Sequence, residues 1–178
     1  MKPESLTILK KELKKCSHEE SQEIVLRLAR AKKENKELLT YLLSYAEDAA
    51  EYGEDMQADL DLAFEDLSQR PYFAAKSLRK MLRQVTKFKR FTKSDQYMVQ
   101  LLLHFCEKTV EHFGPGLRHL PTQGIIFRTM LKIRKTLDKM HEDLQADFRP
   151  HFEDIVEIID SKFTYWNAIR YNLRELTE

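Results

Sequence analysis

Apolar residues recur at three- and four-residue spacing along almost the whole chain, the pattern of helices that each bury one face. Leu6, Leu9 and Leu13 begin it and predict a first helix running to about Cys16. Ser17 with Glu20 forms an S-x-x-E capping box, and Ile24, Leu28 and Ala31 line one face of the second helix behind it. The cluster Lys32-Lys33-Glu34-Asn35-Lys36 is expected to break that helix, with Asn35 as the cap of a third. The stripe that follows, Leu38, Leu39, Leu42, Leu43, Ala46 and Ala49, is expected to end near Gly53.

Asp55 is the expected cap of a fourth helix, with Met56, Leu60, Ala63, Phe64 and Leu67 toward the core. Pro71 suits the first turn of a fifth, whose core face reads Ala74, Leu78, Leu82, Val85 and Phe88. A turn at Thr92-Lys93-Ser94 leads to a sixth helix, about Asp95 to Phe113, apolar over more than half its circumference. A helix of that kind belongs at the centre of a fold. Gly114-Pro115-Gly116 ends it, and five of the nine Gly and Pro residues fall between 114 and 124. This is the expected long loop and a candidate functional connection. The seventh helix carries Ile126, Met130, Ile133, Leu137, Met140 and Leu144. Arg149-Pro150 is expected to close it and open the eighth, with Phe152, Ile155, Ile159, Phe163 and Trp166 in the core.

No stretch alternates with period two, so the fold class is all-α, with about eight helices in antiparallel hairpins. Residues 1–178 suit one helical domain, either a short HEAT-like α-α superhelix or a compact bundle. Basic-rich helices at 27–36, 76–93 and 128–139 repeat loosely, without constant spacing. A composition of 42% hydrophobic and 33% charged residues excludes a disordered tail. Two cysteines, Cys16 and Cys106, fit a reducing compartment and form no CxxC motif. Residues 1–5 lack the apolar core of a signal peptide, and the charge-free stretch from Gln96 to Cys106 is too short to span a bilayer. A cytoplasmic location, away from membrane, is the expectation.

The net charge of +1 conceals a segregation. Glu37 to Gln69 holds ten acids and no base, and Arg70 to Ser94 holds nine bases and no acid. At about 100° per residue, Lys76, Arg79, Lys80, Arg83, Lys87 and Arg90 cluster opposite Leu78, Leu82 and Val85. Asp55, Asp59, Asp61, Glu65 and Asp66 form an acidic face opposite Leu60 and Phe64. Three readings stay open: solvated faces with weak ion pairs, a stripe that tracks a polyanion, or a surface matched to a protein partner or a second copy. Tyr72, Phe73, Phe88 and Phe91 lie near the stripe for base stacking, with Phe88 also in the core set. The neighbouring acids would oppose a polyanion.

Catalytic motifs are sparse. No Glu-x-x-His, G-x-S-x-G, phosphate loop or HExxH occurs, although His104, Glu107 and Glu111 share a helix face with His112 adjacent. Neither a metal nor another cofactor is expected. His141, Glu142, Asp143 and Gln145 form a polar cluster that reads as a solvated helix end, a buried hydrogen-bonded network or a ligand site. Three stretches, 27–43, 72–80 and 141–145, resemble a family of bacterial all-helical proteins of about this length that has no assigned activity. Ala146 departs from the Tyr expected at that place. The resemblance implies a bacterial origin, a cytoplasmic setting and a helical fold, and no reaction. The expectation is a non-catalytic interaction or adaptor protein that binds a protein partner through charged helix faces. The alternative is nucleic-acid binding on the basic face of helix 71–91.

Overall fold

The computed structural model describes residues 2–114 and 117–162, and contains no strand among them. Eight helices follow in order: α1 (Leu6–Leu13), α2 (His18–Ala31), α3 (Lys33–Ser44), α4 (Ala49–Glu65), α5 (Pro71–Thr92), α6 (Asp95–Phe113), α7 (Leu120–Leu137) and α8 (Glu142–Lys162). The fold is all-α. Contacts group into two compact units, Met1–Glu47 and Asp48–Glu178.

In the first unit the caps explain the boundaries. Ser17 Oγ accepts the Glu20 amide at 3.1 Å and Glu20 Oε2 accepts the Ser17 amide at 2.7 Å, the reciprocal pair that starts α2. Asn35 does not cap α3. The break falls at Lys32, whose backbone is extended, and Asn35 sits inside the helix with its side-chain amide donating to Leu28 O at 2.8 Å. That bond ties α3 back to α2. Tyr41 is the one buried side chain of α1–α3.

In the second unit the start of α4 also moves from its expected place. Asp48, not Asp55, is the cap: its carboxylate accepts the amides of Ala50 and Glu51, both at 3.0 Å. Gly53 therefore lies within α4. Pro71 occupies the first turn of α5 as expected, and Ser94 caps α6 by accepting the Tyr97 amide. Between them Lys93 takes a left-handed backbone, φ 57°, closing α5 through its amide on Lys89 O at 2.8 Å.

The sixth helix is central. Met98, Val99, Leu101, Leu102, Leu103, Phe105, Cys106 and Val110 are all buried, and α6 packs against α4, α5, α7 and α8. Stacked hairpins touch only their neighbours, so a helix with four partners is consistent with a compact bundle for α4–α8. The fifth helix packs against α4, α6 and α7.

Two expectations near the end of the chain are corrected. Arg149-Pro150 does not separate helices; α7 stops at Leu137, and α8 begins at Glu142 and runs through Pro150. The carbonyl that Pro150 leaves without an amide belongs to exposed Ala146, where water can take its place. Leu144 consequently belongs to α8. The long loop also shrinks, because Pro121 and Gly124 are inside α7. Phe152, Ile155 and Ile159 are buried as expected, whereas Phe163, Trp166, Pro115 and Gly116 lie outside the described residues.

Burial decides the chemistry of the cysteines. Cys106 is fully enclosed, and desolvation pushes its thiol pKa far above the ordinary value. Cys16 is partly exposed at the end of α1. An aromatic disulfide reagent should titrate one thiol in the native protein and two in denaturant. Two fast equivalents in the native state would mean that α6 opens.

Candidate nucleic-acid interface

The basic face of α5 forms as the helix wheel requires. Lys76, Arg79, Lys80, Arg83 and Arg90 are exposed and Lys87 is half-buried. Arg79 and Arg83 fold back along the helix, donating to Ala75 O at 3.4 Å and Arg79 O at 3.3 Å. The Arg90 guanidinium lies 5.7 Å from the Phe91 ring centre.

The decisive feature is what lies beside that face. Three open clefts follow one another, the first two between α5 and α7 and the third along α7. The first, about 360 Å³, is lined by Tyr72, Phe73, Lys76, Arg79 and His119 among others. Its neighbour, about 350 Å³, shares Arg79 and adds Arg128, Lys132 and Thr86. The third, about 590 Å³, shares Arg128 and Lys132 and adds Lys135 and Lys139. Together they make one track with six bases (Lys76, Arg79, Arg128, Lys132, Lys135, Lys139) and one acid, Asp95. Asp95 is held 2.6 Å from Lys89.

Local bonds align the two walls. Thr122 Oγ1 donates to Pro71 O at 3.3 Å, and His119 Nδ1 lies 2.8 Å from the same hydroxyl. With the hydroxyl proton given to Pro71, the imidazole N–H is the donor to Thr122. The first turns of α5 and α7 are thereby joined. At that end Tyr72 and Phe73 stand 74% and 59% exposed, in edge contact at 5.4 Å. Phe88 and Phe91 are core residues instead.

Lys132 reports the local electrostatics. Its pKa is lowered, first by desolvation in the cleft; Asp95 opposes the shift and Lys89 adds to it. A bound anion would raise that pKa again, so binding couples to proton uptake where the free ammonium begins to lose its proton.

The acidic face stands apart from this track. Asp55, Asp59, Glu65 and Asp66 are exposed on α4, and no α4 residue lines the three clefts. Asp61 departs from the expected face: its carboxylate turns to α6 and meets His104 Nε2 at 2.6 Å. The remaining histidine-face groups are also dispersed. Glu107 meets His151 at 3.4 Å, Glu111 meets Lys108 at 3.4 Å, and His112 contacts Ser68 O at 3.2 Å. Among the described residues no group of three His, Cys, Asp or Glu is placed to hold a metal ion.

The polar cluster is a solvated helix end rather than a buried network. His141, Glu142 and Asp143 are exposed, and Glu142 with Asp143 occupies the first turn of α8, where the helix dipole favours acids. Gln145 donates to Met140 O at 2.9 Å and accepts from Arg149 at 3.0 Å. Of the residues marked in the sequence, only Lys76 and Arg79, with nearby Tyr72 and Phe73, line the track. The α7 wall is a part of the track that the helix-by-helix reading of the sequence does not single out. Its signal was available: Arg128, Lys132, Lys135 and Lys139 recur at spacings of four, three and four, and no acid occurs from His112 to Leu137.

Among the described residues no helix is long and apolar enough to cross a membrane. No family model matches the chain, and no curated protein or solved structure matches it either.

Proposed function

We propose that this chain is a non-catalytic cytoplasmic binding protein of bacterial origin whose α5–α7 track takes single-stranded nucleic acid. The observation that carries the proposal is that Lys76 and Arg79 of α5, with Arg128, Lys132, Lys135 and Lys139 on the α7 side, line three adjoining clefts with exposed aromatic rings at one end. Spaced cations suit a phosphate backbone, and Tyr72 and Phe73 suit stacking by unpaired bases. The part of α5 that lines the clefts, from Tyr72 to Thr86, is about 21 Å long at 1.5 Å per residue and has room for a few nucleotides. The α4 acids line none of the clefts. The helix α8, packed against α7, carries seven acids and two bases and is the acidic neighbour that a bound polyanion would have to avoid.

A second reading, a protein partner held on charged helix faces, has the exposed α4 acids Asp59, Glu65 and Asp66 in its favour. One titration separates the two. Fluorescence anisotropy of a labelled oligothymidine of about twelve nucleotides, a length within the range of single-strand sites, is followed against salt. Six phosphate contacts give a slope near −4 in log–log form, hence a loss on the order of 300-fold between 50 and 200 mM salt. Absence of binding at 50 mM overturns the proposal. Competition by polyglutamate as effective as by unlabelled oligonucleotide transfers the groove to an acidic protein partner.

A further inference from the structure

The first unit presents an apolar surface that is not used within it. Val25, Leu26 and Leu43 stand 43%, 45% and 78% exposed. An open groove of about 690 Å³ runs between α2 and α3, with Leu26, Ala29, Leu39 and Leu43 as its apolar lining and Arg30, Lys33 and Lys36 among its polar residues. Tyr41 is the one buried side chain of α1–α3, so a partner over this groove would enlarge a small core.

The charges of α2 say what fits there. Glu19 and Arg30 are eleven residues apart, which brings them to within about 20° on the helix wheel. Leu26 lies within about 20° of Glu19 on the same line. With Glu23 about 20° from Arg30 on the same face, that line reads acid, acid, leucine, base. Its midpoint falls between Ile24 and Val25, so Glu23 of one copy would lie across from Leu26 of the other. Turned end for end about that midpoint, it meets itself with opposite charges at both ends. Such a surface is self-complementary, the requirement of a two-fold contact. Arg30 already reaches Glu23 of its own helix at 3.4 Å, but both side chains are mostly exposed and the pair holds it weakly.

We propose that a second copy of this chain covers the groove, with α2 antiparallel to α2 of the other copy and Glu19 of each facing Arg30 of the other. Leu26, Ala29, Leu39 and Leu43 of the two copies then meet in the middle of a four-helix bundle made from two hairpins. The surface is small. Helices about 20 Å long and about 10 Å apart offer roughly 400 Å² per copy in projection, at the low end for specific association. The dimer is therefore reversible, with a dissociation constant in the micromolar range.

Sedimentation velocity of the full chain between about 1 and 200 µM should show the mass rising from one chain to two. Glu19→Arg and Arg30→Glu each set like charges against each other at both ends of the seam, and each should weaken the dimer at least tenfold. An equimolar mixture of the two variants restores opposite charges at both ends and should recover the dimer. A substitution that only damaged the hairpin would gain nothing from mixing, and far-UV circular dichroism reads that damage directly. A wild-type monomer throughout the range overturns the proposal. So does a dimer indifferent to both substitutions, or a mixture that stays monomeric.

Discussion

Replacing Phe105 by Ala is expected to destabilise the helical unit by about 3–5 kcal/mol, the range for deleting a large buried aromatic side chain. Phe105 has no exposed surface and sits on the helix that every other member of the α4–α8 bundle touches. Its ring packs against Phe64 of α4, with centroids 5.8 Å apart and planes tilted by 50°. The lost transfer energy is therefore joined by a cavity between two helices and by the loss of an aromatic contact. A domain of this kind has roughly 5–15 kcal/mol in total, so the variant loses a large part of its margin. Thermal melting followed by circular dichroism should fall by roughly 10–20 °C. Leu62→Ala, at a position 61% exposed on the same bundle, is the comparison and should change stability by less than about 0.5 kcal/mol. Equal losses at the two positions would mean that α6 is not the organising helix.

Reversing the α7 wall should have the largest effect on binding. Arg128→Glu combined with Lys132→Glu removes two cations shared between adjacent clefts and puts two anions in their place. Single-strand affinity at 50 mM salt should drop on the order of 100-fold, and the salt slope should become shallower by at least one. Both side chains are exposed, so the fold should survive. Glu65→Lys with Asp66→Lys on α4 provides the contrast. Those acids are also exposed but line none of the clefts, and their reversal should change affinity by less than about threefold, through long-range attraction alone. Equal effects from the two pairs would reduce the groove to a matter of net charge.

Much of the fold could be read from the chain because its signals are local. Ser17 and Glu20, Pro71, and the Thr92-Lys93-Ser94 turn each act within one helical turn, and each is where the pattern places it. The misplacements have a common form. Asn35 and Asp55 are chemically able to cap a helix, but Lys32 and Asp48 take those places, because several competent boundaries lie close together and packing chooses among them. Pro150 is a true breaker by chemistry, tolerated where the orphaned carbonyl can reach water. The candidate site was only half legible for a different reason. The basic stripe of α5 is a property of one helix, and its wheel position follows from spacing. Its continuation onto α7 depends on two helices separated by all of α6 lying side by side, a pairing that periodicity does not encode. Asp61 shows the same limit, since the histidine it meets is 43 residues away.

The packing of α5 against both an acidic and a basic neighbour has a kinetic consequence. Within the α4–α8 bundle a near-neutral total leaves little monopole field to attract a ligand from a distance, but the acids concentrated on α4 and α8 and the bases concentrated on α5 and α7 leave an uneven field. If the track takes a polyanion as proposed, such a ligand would be repelled from the α4 side and attracted over the bases of α5 and α7. The side of approach would then be selected before contact. The field contributes more to how often an encounter is productive than to how long the complex lasts.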